Sequence, residues 1–167
     1  MIQMVLFTIR TSIISFINLH MIVFGDLCIG DMLIKDLIHW EELPVALAPS
    51  EVYDRNGCFS GSAIVIDDKL VLIYTGHVEE GNVRTETQCM AVSHDGIHFE
   101  KYAGNPVIGE KHINGIADIA DFRDPKIMKY DNHYYTVVAS KTEGQIGDKF
   151  FCLSRIIASI GVLNQYY

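Results

Sequence analysis

Two short segments carry side chains with chemical potential. In Phe122-Arg123-Asp124-Pro125 a guanidinium precedes a carboxylate and a proline follows it. Proline is tolerated as the first residue of a strand and restricts the residue before it, so this order would hold Asp124 rigidly where a strand begins. A neighbouring arginine favours the ionised carboxylate and leaves its two oxygens to accept hydrogen bonds from vicinal sugar hydroxyls. Taken alone, the tetrapeptide reads more simply as a solvent-exposed Arg-Asp turn. The second segment, Cys58-Phe59-Ser60-Gly61-Ser62-Ala63, sets small residues around one aromatic. Phe59 could pack on the face of a sugar ring and Ser60 could bond a hydroxyl; the plainer reading is a tight strand entry where glycine lets backbones approach.

Other chemistries fit poorly. His94 and His98 have the spacing of a helical metal pair, but Asp95-Gly96 between them breaks any helix, so no metal site is expected. There is no glycine-rich phosphate loop and no convincing Ser/His/Asp set, and no cofactor is expected.

The elements that must position these residues read as short strands separated by turns, an all-β pattern. Ser60 to Ile66 and Leu70 to Tyr74 form a hairpin across Asp67-Asp68-Lys69. Gln88 to Val92 leads through Ser93-His94-Asp95-Gly96 into a strand over Ile97 to Tyr102, and Lys126 to Tyr130 pairs with Tyr134 to Ala139. This antiparallel meander repeats: Asp36-Leu37-Ile38-His39-Trp40-Glu41 returns 59 residues later as Asp95-Gly96-Ile97-His98-Phe99-Glu100, and Phe59 returns as Phe122. A period of about 50 to 60 residues with an aromatic at a fixed place is the mark of propeller blades; the alternative is two unrelated hairpins. Under the repeat, Phe59-Ser60 and Phe122-Arg123-Asp124 occupy equivalent rim positions, which suggests a shared pocket.

Composition narrows the partners. The chain has 167 residues, 49% hydrophobic, with Lys+Arg 13 against Asp+Glu 21 and a formal net charge of -8. That is one domain's worth of core-forming chain, and its acidity disfavours phosphate backbones and anionic lipid surfaces, so neither nucleic acid nor a membrane is expected as partner. Cys28, Cys58, Cys89 and Cys152 show no CxxC pair and read as reduced thiols of a cytoplasmic protein. The apolar start, Met1 to Phe24, is interrupted by Arg10, and its longest uncharged stretch, Thr11 to Gly25, is 15 residues where a spanning helix needs about 20. It also lacks the basic n-region and small-residue cleavage site of an export signal.

Trp40-Glu41-Glu42-Leu43-Pro44-Val45-Ala46-Leu47-Ala48-Pro49, Tyr53-Asp54, Gly57 to Ala63, Asp95 to Phe99 and Phe122 to Pro125, in this order and spacing, resemble consecutive landmarks of glycoside hydrolase family 32, the invertase and sucrose-6-phosphate hydrolase family. The resemblance covers residues 35–146, the early part of a catalytic domain. It implies a five-bladed β-propeller, of which this chain would hold about two blades as antiparallel meander sheets. It also implies cleavage of β-fructosides (sucrose, sucrose 6-phosphate or a fructan) with retention, by an aspartate nucleophile in Asn-Asp-Pro-Asn-Gly and a glutamate acid/base in Glu-Cys. By the same resemblance Asp124 takes the role of transition-state stabiliser, Arg123 is its charged neighbour, and Phe59 and Ser60 are substrate contacts.

Neither the nucleophile motif nor the acid/base motif occurs in this chain. Codons for Met1-Ile2-Gln3-Met4-Val5, read one base earlier, permit Asn-Asp-Pro-Asn-Gly, and the same register shift restores family-like sequence up to Leu33 and again from Asp148 to Tyr166. Residues 1–34 and 147–167 are therefore expected to be out-of-frame segments flanking an in-frame core at 35–146. On this reading the chain is inactive by itself. A non-catalytic carbohydrate-binding propeller module is the main alternative; an arabinoside- or xyloside-cleaving relative and a membrane-anchored sensor are weaker ones.

Overall fold

A computed structural model of the chain describes the backbone of residues 5–9, 12–20, 27–34, 40–113, 117–131, 133–141 and 148–154, with side chains described only within 43–141. Strands β1 (Val5–Ile9), β2 (Ser12–His20), β3 (Leu27–Ile34) and β4 (Trp40–Leu47) form one antiparallel meander. A second comprises β5 (Gly57–Ile66), β6 (Lys69–Glu80), β7 (Val83–Ser93) and the short β8 (Glu100–Lys101). A third begins with β9 (Arg123–Tyr130), β10 (His133–Lys141) and β11 (Asp148–Ser154). The first two touch edge to edge at a single parallel pair, Leu27 with Gly57. The architecture is thus all-β: two four-stranded blades and three strands of a third, a partial propeller.

The run Leu70 to Tyr74 shows why the blades stack. Side chains alternate across a strand, and a strand covered on both faces can be apolar at every position. Leu70, Leu72 and Tyr74 join Ala46, Leu47, Cys58, Ala63, Cys89 and Ala91 in a core against the first blade. Val71 and Ile73 point the other way, into a core with Ile66, Met90, Ile108, Phe122, Ile127 and Val138 against the third. Each fully buried aliphatic contributes about 1.5–3 kcal/mol. The backbone N–H of Ile127 donates to Ser62 Oγ at 2.7 Å, tying β9 to β5.

The turns follow from the letters. Asp67 and Asp68, both at positive φ (47° and 59°), make a two-residue hairpin turn whose twist matches the strands it joins. Lys69, expected in that turn, instead opens β6. The strand expected over Ile97 to Tyr102 is cut to Glu100–Lys101, because Asp95 Oδ1 accepts the N–H groups of Ile97 and His98, each at 2.8 Å, and withdraws them from the ladder. The Asp95 to Glu100 segment leads into β8, and Trp40-Glu41 opens β4, so the 59-residue repeat relates the fourth strands of consecutive blades; residues 36–39 of its first copy lie outside the described residues. Among the described residues no helix is long and apolar enough to cross a membrane.

Candidate functional site

The first strands of the second and third blades carry the same kind of irregularity near their starts. Along β5, Phe59 pairs with Thr75 and Gly61 with Tyr74, so Ser60 is an extra residue in the ladder. Along β9, Arg123 pairs with Ala139 and Lys126 with Val137, which sets Asp124 and Pro125 opposite Val138. Bulges of this kind re-aim side chains and gather at functional rims. Gly61 is required here, since a Cβ would lie 1.9 Å from the Ile73 carbonyl oxygen. The tight-entry reading of residues 58–63 therefore holds beside any ligand role. Asp124 sits at φ 58°, the left-handed region in which aspartate is better tolerated than most residues.

Asp124 is held from below by the second blade. Its N–H donates to Thr75 Oγ1 at 3.2 Å, and Thr75 Oγ1 donates to Gln88 Oε1 at 3.0 Å. Gln88 Nε2 donates to the Phe122 carbonyl at 2.6 Å, and the Phe122 ring is fully buried. The Asp124 backbone is thus tied through Thr75 and Gln88 to Phe122, anchors that the sequence reading, resting on Pro125, did not include. Asp124 remains exposed. Among the described residues no side chain is bonded to its carboxylate.

Arg123 does not pair with Asp124. Its Nε lies 3.0 Å from Glu86 Oε2, and its Nη2 is bonded to Asp121 Oδ1. Glu86 is fully buried and places Oε1 3.3 Å from His77 Nδ1. The imidazole of His77 is stacked on Phe59, the other candidate contact. Asp121 also meets Lys141 Nζ at 3.1 Å and Arg84 Nη2 at 3.7 Å. Burial works against ionising Asp121, but the Lys141 bond and the charges of Arg123, Lys141 and Arg84 outweigh it and hold the carboxyl below its usual range.

Asp124 shifts the other way. Partial desolvation at the rim lifts its carboxyl above the usual range, the nearby Arg123 charge opposes this, and the negative charge of Glu86 adds to it. The expectation that Arg123 would firmly ionise its neighbour is therefore corrected: the guanidinium is occupied by Glu86 and Asp121, two carboxylates the sequence reading did not pair with it.

The structure brings together the strand-entry segments of all four candidate residues. Phe59 and Asp124 both flank Thr75, one as its cross-strand partner and the other as its hydrogen-bond donor. Ser60 occupies the bulge beside Phe59. Thr75, His77, Glu86 and Gln88 were not singled out from the sequence, although a signal existed. They are polar, face one another pairwise across β6 and β7 (Thr75 with Gln88, His77 with Glu86), and lie just past the ends of the apolar runs Leu70 to Tyr74 and Cys89 to Val92. Among the described residues no cluster of three or more His, Cys, Asp or Glu side chains can hold a metal ion. What the rim offers is a carboxylate with open oxygens on an anchored backbone, across Thr75 from a half-buried aromatic ring.

Comparison with known proteins gives one answer. The sequence pattern of the glycosyl hydrolases family 32 N-terminal domain matches residues 17–153, reaching past the 35–146 span at both ends. Sucrose-6-phosphate hydrolase of Zymomonas mobilis is 44% identical over 127 residues, 74% of this chain and 24% of that protein. Sucrose-6-phosphate hydrolase of Bacillus subtilis is 40% identical over 119 residues, 71% of this chain and 24% of that protein. Among solved structures, a GH32 beta-fructofuranosidase of Bombyx mori superposes with a TM-score of 0.73 at 36% identity, covering 88% of this chain and 30% of its own. The chain thus spans about a quarter of the length of the curated relatives it matches.

Proposed function

Because the chain belongs to glycoside hydrolase family 32, we propose that it supplies the Asp124 wall of a fructose-binding pocket in a β-fructofuranosidase-type hydrolase of sucrose or sucrose 6-phosphate. In the retaining two-carboxylate route one carboxylate attacks the anomeric carbon while a carboxylic acid protonates the departing oxygen, through an oxocarbenium-like transition state. Asp124 takes neither of those parts. It accepts hydrogen bonds from two vicinal hydroxyls of the fructosyl ring, a contact that tightens as charge develops on the ring. Phe59 and Ser60 contact the same sugar, and Arg123 contributes positive charge beside it.

The observation that carries this reading is the Asp124 carboxylate, fixed at a left-handed bulge with no side-chain partner among the described residues. The names of the relatives support a sucrose-type substrate.

This chain contains neither an Asn-Asp-Pro-Asn-Gly nor a Glu-Cys segment. Residues that act as a unit fail together, so we assign it sugar binding without turnover. The test is release of glucose from sucrose and of glucose 6-phosphate from sucrose 6-phosphate: from neither substrate should product appear above background, whereas turnover that disappears in Asp124→Asn would overturn the inactivity. A non-catalytic carbohydrate-binding module would present the same open carboxylate and ring; calorimetry with fructosides on an intact homologue separates binding from hydrolysis.

A further inference from the structure

Glu86 is the most deeply buried charge-bearing side chain next to the site, and the role given to Asp124 does not use it. A carboxylate withdrawn from water persists only with strong partners. Among the described residues Glu86 has two ion-pair partners: His77 at 3.3 Å from Oε1, and Arg123 at 3.0 Å from Oε2, the second a charge contact without hydrogen-bond geometry. The other anchor of Arg123, Asp121, is shared with Lys141 and Arg84 and is less deeply buried. Arg123 adjoins Asp124 in the chain, and its charge already acts on the Asp124 carboxyl. A guanidinium released from Glu86 keeps its bond to Asp121 and has the open carboxylate of the adjoining Asp124 as a further acceptor.

We propose that Glu86 is a positioning residue that keeps the Arg123 guanidinium off the Asp124 carboxylate and so leaves both Asp124 oxygens open to a sugar diol. The same side chain contacts His77, on which Phe59 is stacked, so one buried carboxylate braces both walls of the pocket. The proposal rests on the reading of Asp124 as the group that meets the sugar. His77 is bracketed by Glu86 and Glu79, and Arg123 by Glu86 and Asp121; among the described residues these groups, with Arg84 and Lys141, are the charges ion-paired within the cluster.

The experiment is carbon-13 NMR titration of the Asp124 carboxyl in the full chain, assigned by its loss in Asp124→Asn. Glu86→Gln lowers the Asp124 midpoint for two reasons, removal of a negative charge and arrival of Arg123; only the second requires the arginine. The fall is therefore larger in the wild-type background than in an Arg123→Gln background, and equal falls overturn the proposal. Should Glu86→Gln fail to fold, the Arg123 Nε–H resonance of the unmutated chain decides: it stays in place when Asp124 becomes Asn if the guanidinium sits on Glu86, and its displacement overturns the proposal. Addition of D-fructose is the separate arm. Perturbation of the Asp124 and Phe59 signals supports the sugar-pocket reading, and its absence sinks that reading while leaving the arginine result intact.

Discussion

The phenyl ring of Phe59 lies flat on the imidazole of His77, with centroids 4.2 Å apart and planes 14° from parallel. His77 faces a carboxylate at each nitrogen, Glu86 at 3.3 Å and Glu79 at 3.6 Å, so a charged frame sets the plane against which Phe59 rests. The energetic signature is pairwise coupling beyond area burial. A double-mutant cycle of Phe59→Leu and His77→Leu, read from urea denaturation, should give a coupling of about 0.5–1.5 kcal/mol. Strict additivity would mean that the two rings are merely adjacent.

Asp124 stands at φ 58°, where the short polar side chain of Asp or Asn offsets the strain by local hydrogen bonding and that of alanine cannot. Asp124→Asn should leave stability within about 0.5 kcal/mol, and Asp124→Ala should lose about 1–2 kcal/mol. The pH dependence adds a sign. The folded-state carboxyl titrates above its unfolded value, so its contribution is full at acidic pH and is lost as pH rises through the raised folded midpoint. The Asn variant, with nothing to ionise, should lose that slope and compare best with the parent at neutral pH. Denaturation curves at acidic and neutral pH check both statements; equal losses for Asn and Ala would place the constraint elsewhere.

Much of this was legible before any coordinates. A continuous apolar run at Leu70 to Tyr74 beside a polar two-residue turn implies a strand covered on both faces, and the 59-residue repeat implies that other blades cover it. Phe122 to Pro125 announced a fixed aspartate at a strand entry. What the letters did not disclose is which partner each charge takes. Arg123 and Glu86 are 37 positions apart and meet only because the second and third blades stack, so sequence adjacency pointed to Asp124 instead. In the same way, the shortening of β8 comes from one carboxylate capturing two backbone amides, a local competition that strand periodicity does not register.

A second buried pair holds the segment between β4 and β5. Asp54 is fully buried and accepts from the N–H groups of Ser50 (3.1 Å) and Glu51 (2.9 Å), the Tyr74 hydroxyl (2.9 Å) and Lys101 Nζ (2.5 Å). Lys101 also donates to the Ala48 carbonyl and Ser50 Oγ, so one lysine on β8 pins the whole loop. Lys101→Met strands a buried carboxylate and should cost about 3–5 kcal/mol. Tyr74→Phe removes one donor to the same charge and should cost less, about 1.5–3 kcal/mol. Chemical denaturation gives the order, and limited proteolysis within residues 48–56 should be faster in the lysine variant. A Lys101→Met protein as stable as the parent would show that the ion pair contributes nothing net.

The short helix α1 (Glu110–Ile113) reports on pH through His112, whose Nδ1 accepts the Gly109 N–H at 2.8 Å. An accepting nitrogen must be unprotonated. Burial pushes the imidazole's pKa down, and the positive charge of Lys111 adds to the effect. With the folded value below the unfolded one, near 6.5, the contribution is complete above about pH 6.5 and drains away as pH falls toward the folded value. His112→Asn keeps an acceptor and cannot be protonated. The parent should therefore lose stability relative to His112→Asn between about pH 7 and pH 5, measured as the difference in urea midpoints. Parallel profiles for the two proteins would mean that His112 takes up its proton as readily folded as unfolded, and that the Gly109 contact does not depend on the neutral ring.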